Sequence, residues 1–168
     1  MTPVQLIYTS RADINAKLNL EHLVLKARHR NTEQGLTGVI MLRDGCFLQV
    51  LEGCPEAVNE TYARILQDIR HSHAMLLGYR HITRRAFSAS PLQWILSGPG
   101  TCDVLLRYNG TDRFAPEQMT SEGALAMMSE LDALATRQGA SRSGATPPEP
   151  APWVQALIDT ACRPLRER

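Results

Sequence analysis

Several features that would place a protein in a class at once are missing from this 168-residue sequence. It contains no run of about 18 or more apolar residues, so we expect no transmembrane helix. The N-terminus lacks a basic region followed by an apolar stretch, so we expect no signal peptide. The formal net charge is +1, which argues against a nucleic-acid or membrane surface driven by charge alone. We therefore expect a cytoplasmic protein that binds neither nucleic acid nor a membrane directly.

Sequence signatures of enzymes and of metal sites are missing as well. The chain has no GxSxG, no P-loop and no GxGxxG segment that opens a helix. His71 and His73 are close in sequence but have no cysteine or carboxylate at ligand spacing. We therefore predict no catalytic residues and no metal site.

Cysteine is scarce, and none of the four cysteines forms a CxxC pair. This pattern indicates free thiols in a reducing compartment rather than a disulfide framework. The four positions are Cys46, Cys54, Cys102 and Cys162.

The first 98 residues carry alternating strand and helix patterns. Strands are predicted from β-branched and apolar runs, and helices from apolar residues at helical spacing. Asp44-Gly45 is a strong hairpin signal between two of the strands. The predicted strands cover residues 4–9, 36–42, 46–52, part of 75–87, and 92–96, and the predicted helices cover 18–30 and 55–70.

This order predicts an α+β fold of the ferredoxin-like type, βαββαβ with a fifth strand, in which both helices cover one face of the sheet. The helix at 55–70 should bury Val58, Tyr62, Ile65 and Ile69.

The remaining chain changes in character. We divide the sequence into a domain at 1–98, a connector with a helix at 99–138, a linker at 139–152, and a terminal amphipathic helix at 153–168. The helix at 116–137 should cover the open face of the sheet with Leu125, Met128, Leu131 and Ala135. The helix that begins at Trp153 should contact another subunit or protein.

Five polar residues fall on faces that should be covered. Alternation places Tyr8 and Gln49 on the helix-covered side of their strands, Asn31 ends the first helix on its apolar side, and Arg64 and Asp68 flank the buried stripe of the second helix. A buried glutamine left unpaired costs roughly 1–3 kcal/mol, so Gln49 needs partners.

Each of the five also has an ordinary structural explanation. Tyr8 and Gln49 can bond to each other or to the backbone, and Asn31 can end a helix in a left-handed conformation. Arg64 and Asp68, four residues apart, can form an exposed ion pair worth about 0.3–0.5 kcal/mol. Their convergence on one apolar cleft would instead suit a flat heterocycle that is rich in hydrogen-bond donors and acceptors.

Five segments of the sequence resemble the BLUF domains, blue-light sensors that use flavin. The resemblance covers about residues 3–87 and includes the order, the spacing and the identity of the residues that are functional in the family. The segments are LIYTSRA, ARHRNTEQGLTGVIML, GCFLQVLEG, ILQDIRH and RRAF.

The resemblance implies a non-covalent FAD, with FMN as the alternative, bound between the two helices. Tyr8 and Gln49 would carry out the photochemistry. The ring would be held by Asn31, Arg64 and Asp68, with Ile65 packed on it and His71 nearby. Arg30 could meet a flavin phosphate or lie in solvent.

The mechanism that the resemblance implies suits these residue types. Excited flavin is a strong oxidant, to which a tyrosine can give an electron and a proton. The glutamine amide has a donor end and an acceptor end, and rotation or tautomerisation changes which end faces the flavin. The flavin then gains a hydrogen bond at its carbonyl, its absorption shifts to the red, and the change reaches the fifth strand.

The segment after Phe87 departs from the family pattern, which has a tryptophan three residues later and a methionine two beyond that. An ungapped alignment puts Ser90 and Leu92 at these positions. A four-residue insertion would put Trp94 and Leu96 there instead. We prefer the ungapped alignment because it needs no insertion in a strand, and we take all four residues as candidates for signal relay.

The predicted function is therefore a short BLUF photoreceptor without a catalytic effector domain. Its output would pass through the C-terminal helices to a homo-oligomer or to another protein partner. Two alternatives remain open, namely a flavin-free BLUF-like interaction module and an enzyme on a ferredoxin-like fold.

Overall fold

The computed structural model describes residues 2–13, 20–98, 100–111 and 113–137. In chain order the elements are β1 (Val4–Ala12), α1 (Leu20–Glu33), β2 (Thr37–Arg43), β3 (Cys46–Gly53), α2 (Pro55–Leu66), β4 (His71–His81), β5 (Gln93–Ile95), α3 (Thr101–Asn109), a 3-10 turn (Pro116–Gln118) and α4 (Ser121–Arg137). None of the helices in these ranges is long and apolar enough to cross a membrane.

The five strands form one mixed sheet with the order β4-β1-β3-β2-β5. All strand pairs are antiparallel except β2 and β5, which run parallel. Helices α1 and α2 pack on one side, which we call the cleft face. Helices α3 and α4 pack on the other side, which we call the closed face. The prediction of a ferredoxin-like α+β sheet with two helices on one face is confirmed.

The hairpin between β2 and β3 sets the register of the central strands. Asp44 and Gly45 both have positive φ, 50° and 74°, as a two-residue type I′ turn requires. Arg43 therefore pairs with Cys46, and continuing this register puts Gln49 opposite Ile40. On its other side Gln49 pairs with Tyr8 of β1.

Helix α1 is longer than the sequence pattern predicted, and it includes Asn31 in its last turn. Gly35, at φ +63°, stops the helix. The Gly35 and Leu36 amides donate to the carbonyls of Thr32 (3.2 Å) and Asn31 (2.8 Å), which is the Schellman pattern of a helix end. Asn31 is thus a helical residue and not a left-handed cap.

Helix α2 ends at Leu66, so the prediction that it continues to residue 70 was wrong. The amides of Gln67 and Asp68 bond to the carbonyls of Arg64 (3.3 Å) and Ile65 (3.0 Å), a tightening to three-residue spacing that closes the helix. The Asp68 carboxylate then accepts the Arg70 amide at 3.0 Å and holds a turn. Ile69, predicted to be buried, is 86% exposed as a result.

The chain after β5 contains a helix that the sequence pattern missed. Helix α3 begins after Gly100 and ends before Gly110, and both glycines have positive φ. Helix α4 starts at Ser121 rather than at Pro116, because Pro116 opens a separate 3-10 turn. The predicted buried stripe of this helix was only partly right, since its buried residues are Ala124, Met127, Met128 and Leu131. The predicted linker and the predicted terminal helix lie outside the described residues.

The closed face is a continuous apolar core between the sheet and α4. Ile7, Leu48 and Val50 from the strands pack with Met127 and Leu131 of α4. Near the N-terminus of α4, a Cβ atom added to Gly78 of β4 would lie 2.7 Å from the Cβ of Ser121. The first turn of α4 therefore lies directly on β4 at a position that only glycine fits.

We predict that Gly78→Ala lowers the free energy of unfolding by about 1–3 kcal/mol, the usual cost of overpacking. Adding Ser121→Gly, which removes the opposing Cβ, should recover most of this loss. Urea denaturation of the two single variants and the double variant measures the coupling. A Gly78→Ala protein as stable as the wild type would show that α4 does not rest on β4.

Candidate functional site

A cleft opens on the cleft face between α1 and α2, with a volume of about 700 Å³ counted out to its open mouth. Its apolar walls come from both helices, the sheet and the segment before β5, and they comprise Leu23, Ala27, Ile40, Ile65 and Leu92. Its polar groups are Tyr8, Asn31, Gln49, Thr61, Arg64, Asp68, Arg70 and His71, with Lys26 and Arg30 from α1.

All seven residues that the sequence predicted to bind a cofactor line this one cleft. They come from six different elements and segments, so the fold brings them together from sequence positions 8 to 71. They are Tyr8, Asn31, Gln49, Arg64, Ile65, Asp68 and His71.

Tyr8 and Gln49 form a buried hydrogen bond at the floor of the cleft. The residues are direct neighbours on the antiparallel strands β1 and β3, so their side chains share a face. The phenol Oη of Tyr8 donates to Oε1 of Gln49 at 2.5 Å. The ring of Tyr62 on α2 packs against Tyr8 with 5.2 Å between centroids. The phenol is therefore held from two sides.

The surroundings of Tyr8 keep its phenol protonated. Burial raises its pKa far above the ordinary value of 10.0, and the nearby Tyr62 and Asp68 raise it further. A neutral phenol can donate to Oε1, whereas a phenolate could not. The raised pKa of Tyr8 therefore keeps its phenol able to donate to Gln49.

The amide of Gln49 has an unused donor at the cleft. Its oxygen accepts from Tyr8. In the part of the chain that the structure describes, no hydrogen bond from its nitrogen is found, and the residue lines the cleft. Gln49 therefore presents an N–H group to whatever occupies this space.

Arg64 is fixed by neighbours that sequence reasoning did not single out. Its Nη2 donates to Oε1 of Gln34 at 3.2 Å and to Oγ1 of Thr61 at 3.0 Å. Thr61 in turn donates to Gln34 at 2.8 Å. Thr61 lies one helical turn before Arg64, and this spacing in the sequence could have indicated the contact between them.

Asp68 pairs with Arg70 and not with Arg64, so an ion pair between Arg64 and Asp68, the ordinary structural explanation of these two residues, does not form. Because α2 ends at Leu66, the two residues no longer share a helical face. Arg70 donates from its Nε and Nη2 atoms to both carboxylate oxygens of Asp68. This hydrogen bonding holds the pKa of Asp68 below its usual range.

His71 lines the cleft, and its ring contacts Ser10 and Phe47. Its Nδ1 is 2.9 Å from Oγ of Ser10, and its ring packs on Phe47 with 4.8 Å between centroids. Burial lowers the pKa of His71, while the Asp68 carboxylate opposes this effect.

The C-terminal part of α1 is hydrogen-bonded to the segment that leads into β5. Asn31 Nδ2 donates to the carbonyl of Pro91 at 2.8 Å, and Arg28 Nε donates to the carbonyl of Leu92 at 2.7 Å. Burial lowers the pKa of Arg28. Sequence reasoning missed Arg28, although its position three residues before Asn31 puts it on the same helical face.

The four relay candidates occupy different places. Leu92 is fully buried and lines the cleft. Trp94 is half-buried, pairs with Ile40 in the register of β2 and β5, and packs against the cluster of Ile40, Phe47 and Leu92. Ser90 is buried, and Leu96 is half-buried just after β5. The residue at the cleft is thus Leu92, which is the position that the ungapped alignment gives to the family's methionine.

The sequence of the chain matches the family model of BLUF, described as sensors of blue light using FAD, over residues 4–93. The photoactivated adenylate cyclase subunit beta of Euglena gracilis is 33% identical over 82 residues, which cover 49% of this chain and 9% of that protein. The blue light- and temperature-regulated antirepressor BluF of Escherichia coli K12 is 32% identical over 89 residues, which cover 52% and 22%. The chain therefore spans only about a tenth of the first of these relatives.

Among solved structures, BlsA in its photo-activated state shares the fold of this chain. The TM-score is 0.71 at 24% sequence identity, and the match covers 77% of this chain and 94% of that one. The family model spans more than half of the chain and includes β1 through the start of β5. The chain belongs to the BLUF family, the sensors of blue light that use FAD.

Proposed function

We propose that this chain binds FAD, or alternatively FMN, non-covalently in the cleft and senses blue light through a hydrogen-bond switch of Tyr8 and Gln49. The observation that carries the proposal is the buried bond from Tyr8 to Gln49 at the cleft, which leaves the Gln49 amide nitrogen as a donor. Tyr8 supplies a neutral phenol and Gln49 supplies an amide, and both side chains line the same cleft.

The composition of the cleft fits a flavin. A planar ring needs apolar contact on its faces, which Ile65, Ala27 and Leu92 can supply. Its carbonyl and N–H edge needs donors and acceptors, for which Asn31, Arg64 and Asp68 are the candidates. Asn31 keeps its amide oxygen free of any hydrogen bond in the described residues while its nitrogen holds Pro91.

The mouth of the cleft fits an anionic tail. Lys26 and Arg30 lie four residues apart on α1, both are exposed, and both line the cleft. Arg70 on the opposite side is neutralised by Asp68. The two α1 cations are therefore the groups that would meet the phosphate of FAD or FMN.

Bound flavin would supply a chromophore that absorbs blue light and becomes a strong oxidant when excited. Tyr8 would give an electron and its phenolic proton to the excited flavin and recover both as the flavin returns to its oxidised form, and Gln49 Oε1 accepts the hydrogen bond from that phenol. Loss of the Tyr8 donor removes the bond that holds the amide in its present orientation. Gln49 can then change its orientation or its tautomer so that a donor group of its side chain is directed at the flavin carbonyl, which is the change that the red shift requires.

The output would run through the segment held by α1. Asn31 lines the cleft and bonds to Pro91, and Arg28 bonds to Leu92, so a change at the cleft reaches the start of β5. Ile95 of β5 packs in the closed-face core with α4. We propose that α4 and the chain beyond residue 138 then act on a second copy or another protein, and that residues 1–98 form the flavin-binding unit without a catalytic domain.

We also place this sensor in the cytoplasm. The three cysteines among the described residues, Cys46, Cys54 and Cys102, are all free thiols. Free thiols are typical of a reducing compartment.

The visible absorption spectrum of the purified protein, before and after blue light, tests the proposal. We expect flavin absorption with a small red shift that reverses in the dark. A colourless protein that does not take up added FAD or FMN would contradict the proposal and favour a flavin-free interaction module. Bleaching by net reduction, with turnover of a substrate, would favour an enzyme.

We predict that Tyr8→Phe retains flavin and loses the reversible red shift, because the ring keeps its packing while the donor to Gln49 is removed. Tyr62→Phe is the matched control, since its ring lies 5.2 Å from Tyr8 but does not bond to Gln49. Spectra of both variants at equal flavin content make the comparison. A normal shift in Tyr8→Phe would remove Tyr8 from the switch.

We predict that the red shift keeps its full amplitude up to about pH 10, where an exposed tyrosine is half ionised. The raised pKa of Tyr8 keeps its proton in the folded state, whereas the unfolded state loses it above that pH. The free energy of unfolding should therefore fall as pH rises above about 10, and it should fall less in Tyr8→Phe. A shift amplitude that titrates with a midpoint near 10 would contradict the burial of this phenol.

A further inference from the structure

We propose that Glu52, on the closed face of the sheet, is a positioning residue for the switch. It anchors residues 86–87 and so sets how readily Pro91 and Leu92 move at the cleft on the other face. This inference rests on the proposed photosensory function, but it concerns a side chain that does not touch the cleft.

The Glu52 carboxylate is fully buried, and three donors satisfy it. Gln5 Nε2 donates to Oε1 at 2.7 Å, the Ala86 amide donates to the same oxygen at 3.1 Å, and the Phe87 amide donates to Oε2 at 3.0 Å. A buried carboxylate is costly unless it is hydrogen-bonded in this way. Two of its three bonds are to the backbone of one loop, so the carboxylate fixes that loop directly.

A second layer holds Glu52 itself. Gln5 is its direct neighbour on β1, and Gln5 Oε1 accepts a hydrogen bond from Arg80 Nε of β4 at 3.0 Å. This series of hydrogen bonds therefore runs from the edge strand β4 through β1 to β3, and it ends at the backbone amides of Ala86 and Phe87. Its orientation is fixed at each step, because every atom in it has a defined donor or acceptor role.

The loop that Glu52 holds passes from one face of the sheet to the other. Phe87 is buried in the closed-face core, and Leu92 is buried at the cleft. Between them Ser88 and Ala89 are exposed. The segment is thus fixed at its start by Glu52 and at its end by Asn31 and Arg28.

This arrangement gives Glu52 a role in the lifetime of the switched state. When the cleft rearranges, Pro91 and Leu92 are displaced through their bonds to α1, while Phe87 stays in place. The strain falls on residues 88–90 and on β5. Weakening the hydrogen bonds of Glu52 allows residues 86–87 to move together with Pro91 and Leu92. This lowers the barrier both to forming the switched state and to returning from it.

The test compares Glu52→Gln with the wild-type protein. The variant keeps the size of the side chain but turns one acceptor oxygen into a donor, so at least one of the three bonds is lost. We expect the same dark spectrum and the same red shift, a dark recovery several-fold faster, and faster hydrogen exchange of the Ala86 and Phe87 amides.

Val50→Ala is the matched control, because Val50 is buried on the same face of the same strand but does not bond to the loop. It should be destabilised without a change in recovery rate or in exchange at residues 86–87. Equal effects in the two variants, or none in Glu52→Gln, would overturn the inference, since a purely structural residue would act like Val50.

Arg80→Gln provides a variant that should fold in any case, because Arg80 is exposed and reaches Glu52 only through Gln5. We expect a smaller effect in the same direction, and no change would count against the inference. If the wild-type protein shows no response to light, the proposed function fails and the role of Glu52 in switching fails with it. Hydrogen exchange of the Ala86 and Phe87 amides, compared between Glu52→Gln and the wild-type protein, still shows independently of light whether Glu52 anchors these residues.

Discussion

The hydrogen bond from Tyr8 to Gln49 is the interaction on which the organisation of the cleft depends. It exists because β1 and β3 pair in a register that sets the two residues side by side. The Asp44-Gly45 turn sets the neighbouring register of β2 and β3, and the apolar alternation of the strands favours the register of β1 and β3. A slip of one residue would turn Gln49 into the closed-face core and leave its amide without the tyrosine.

The energy available to such a switch is small, and the surrounding structure is suited to using it. Exchanging one hydrogen bond is worth about 1 kcal/mol, which shifts a two-state equilibrium several-fold. We expect a change of this size to be transmitted best through a segment whose two ends are held by hydrogen bonds. The segment from Phe87 to Leu92 meets this condition, since Glu52 fixes its start and Asn31 and Arg28 fix its end.

The sequence was sufficient to predict the features that depend on periodicity and on turn chemistry. Alternation put Tyr8 and Gln49 on one face, and the Asp-Gly pair placed the hairpin. Helical spacing misled at the end of α2, because Ile69 continues the apolar pattern although Asp68 and Arg70 close a turn. Helix α3 was missed because it is only nine residues long, and its bounding glycines were the available signal.

The supporting contacts could not have been predicted from the sequence. Arg28 bonds to a carbonyl 64 residues away, and Glu52 bonds to an amide 35 residues away. Both partners are backbone groups of an irregular loop, so neither residue type nor spacing marks them. Such contacts become visible only when the path of the loop between the two faces of the sheet is known.

Light-minus-dark infrared spectroscopy of the FAD-loaded protein tests most directly whether Gln49 changes its hydrogen bonding to the ligand. A carbonyl stretch falls in frequency when the carbonyl accepts a stronger hydrogen bond. We expect a downward shift of a flavin carbonyl band in the wild-type protein and its absence in Gln49→Leu, with the two proteins compared at equal flavin content. The same carbonyl shift in Gln49→Leu would contradict a switch made by Tyr8 and Gln49. So would the absence of a carbonyl shift in a wild-type protein whose visible absorption shifts to the red under blue light.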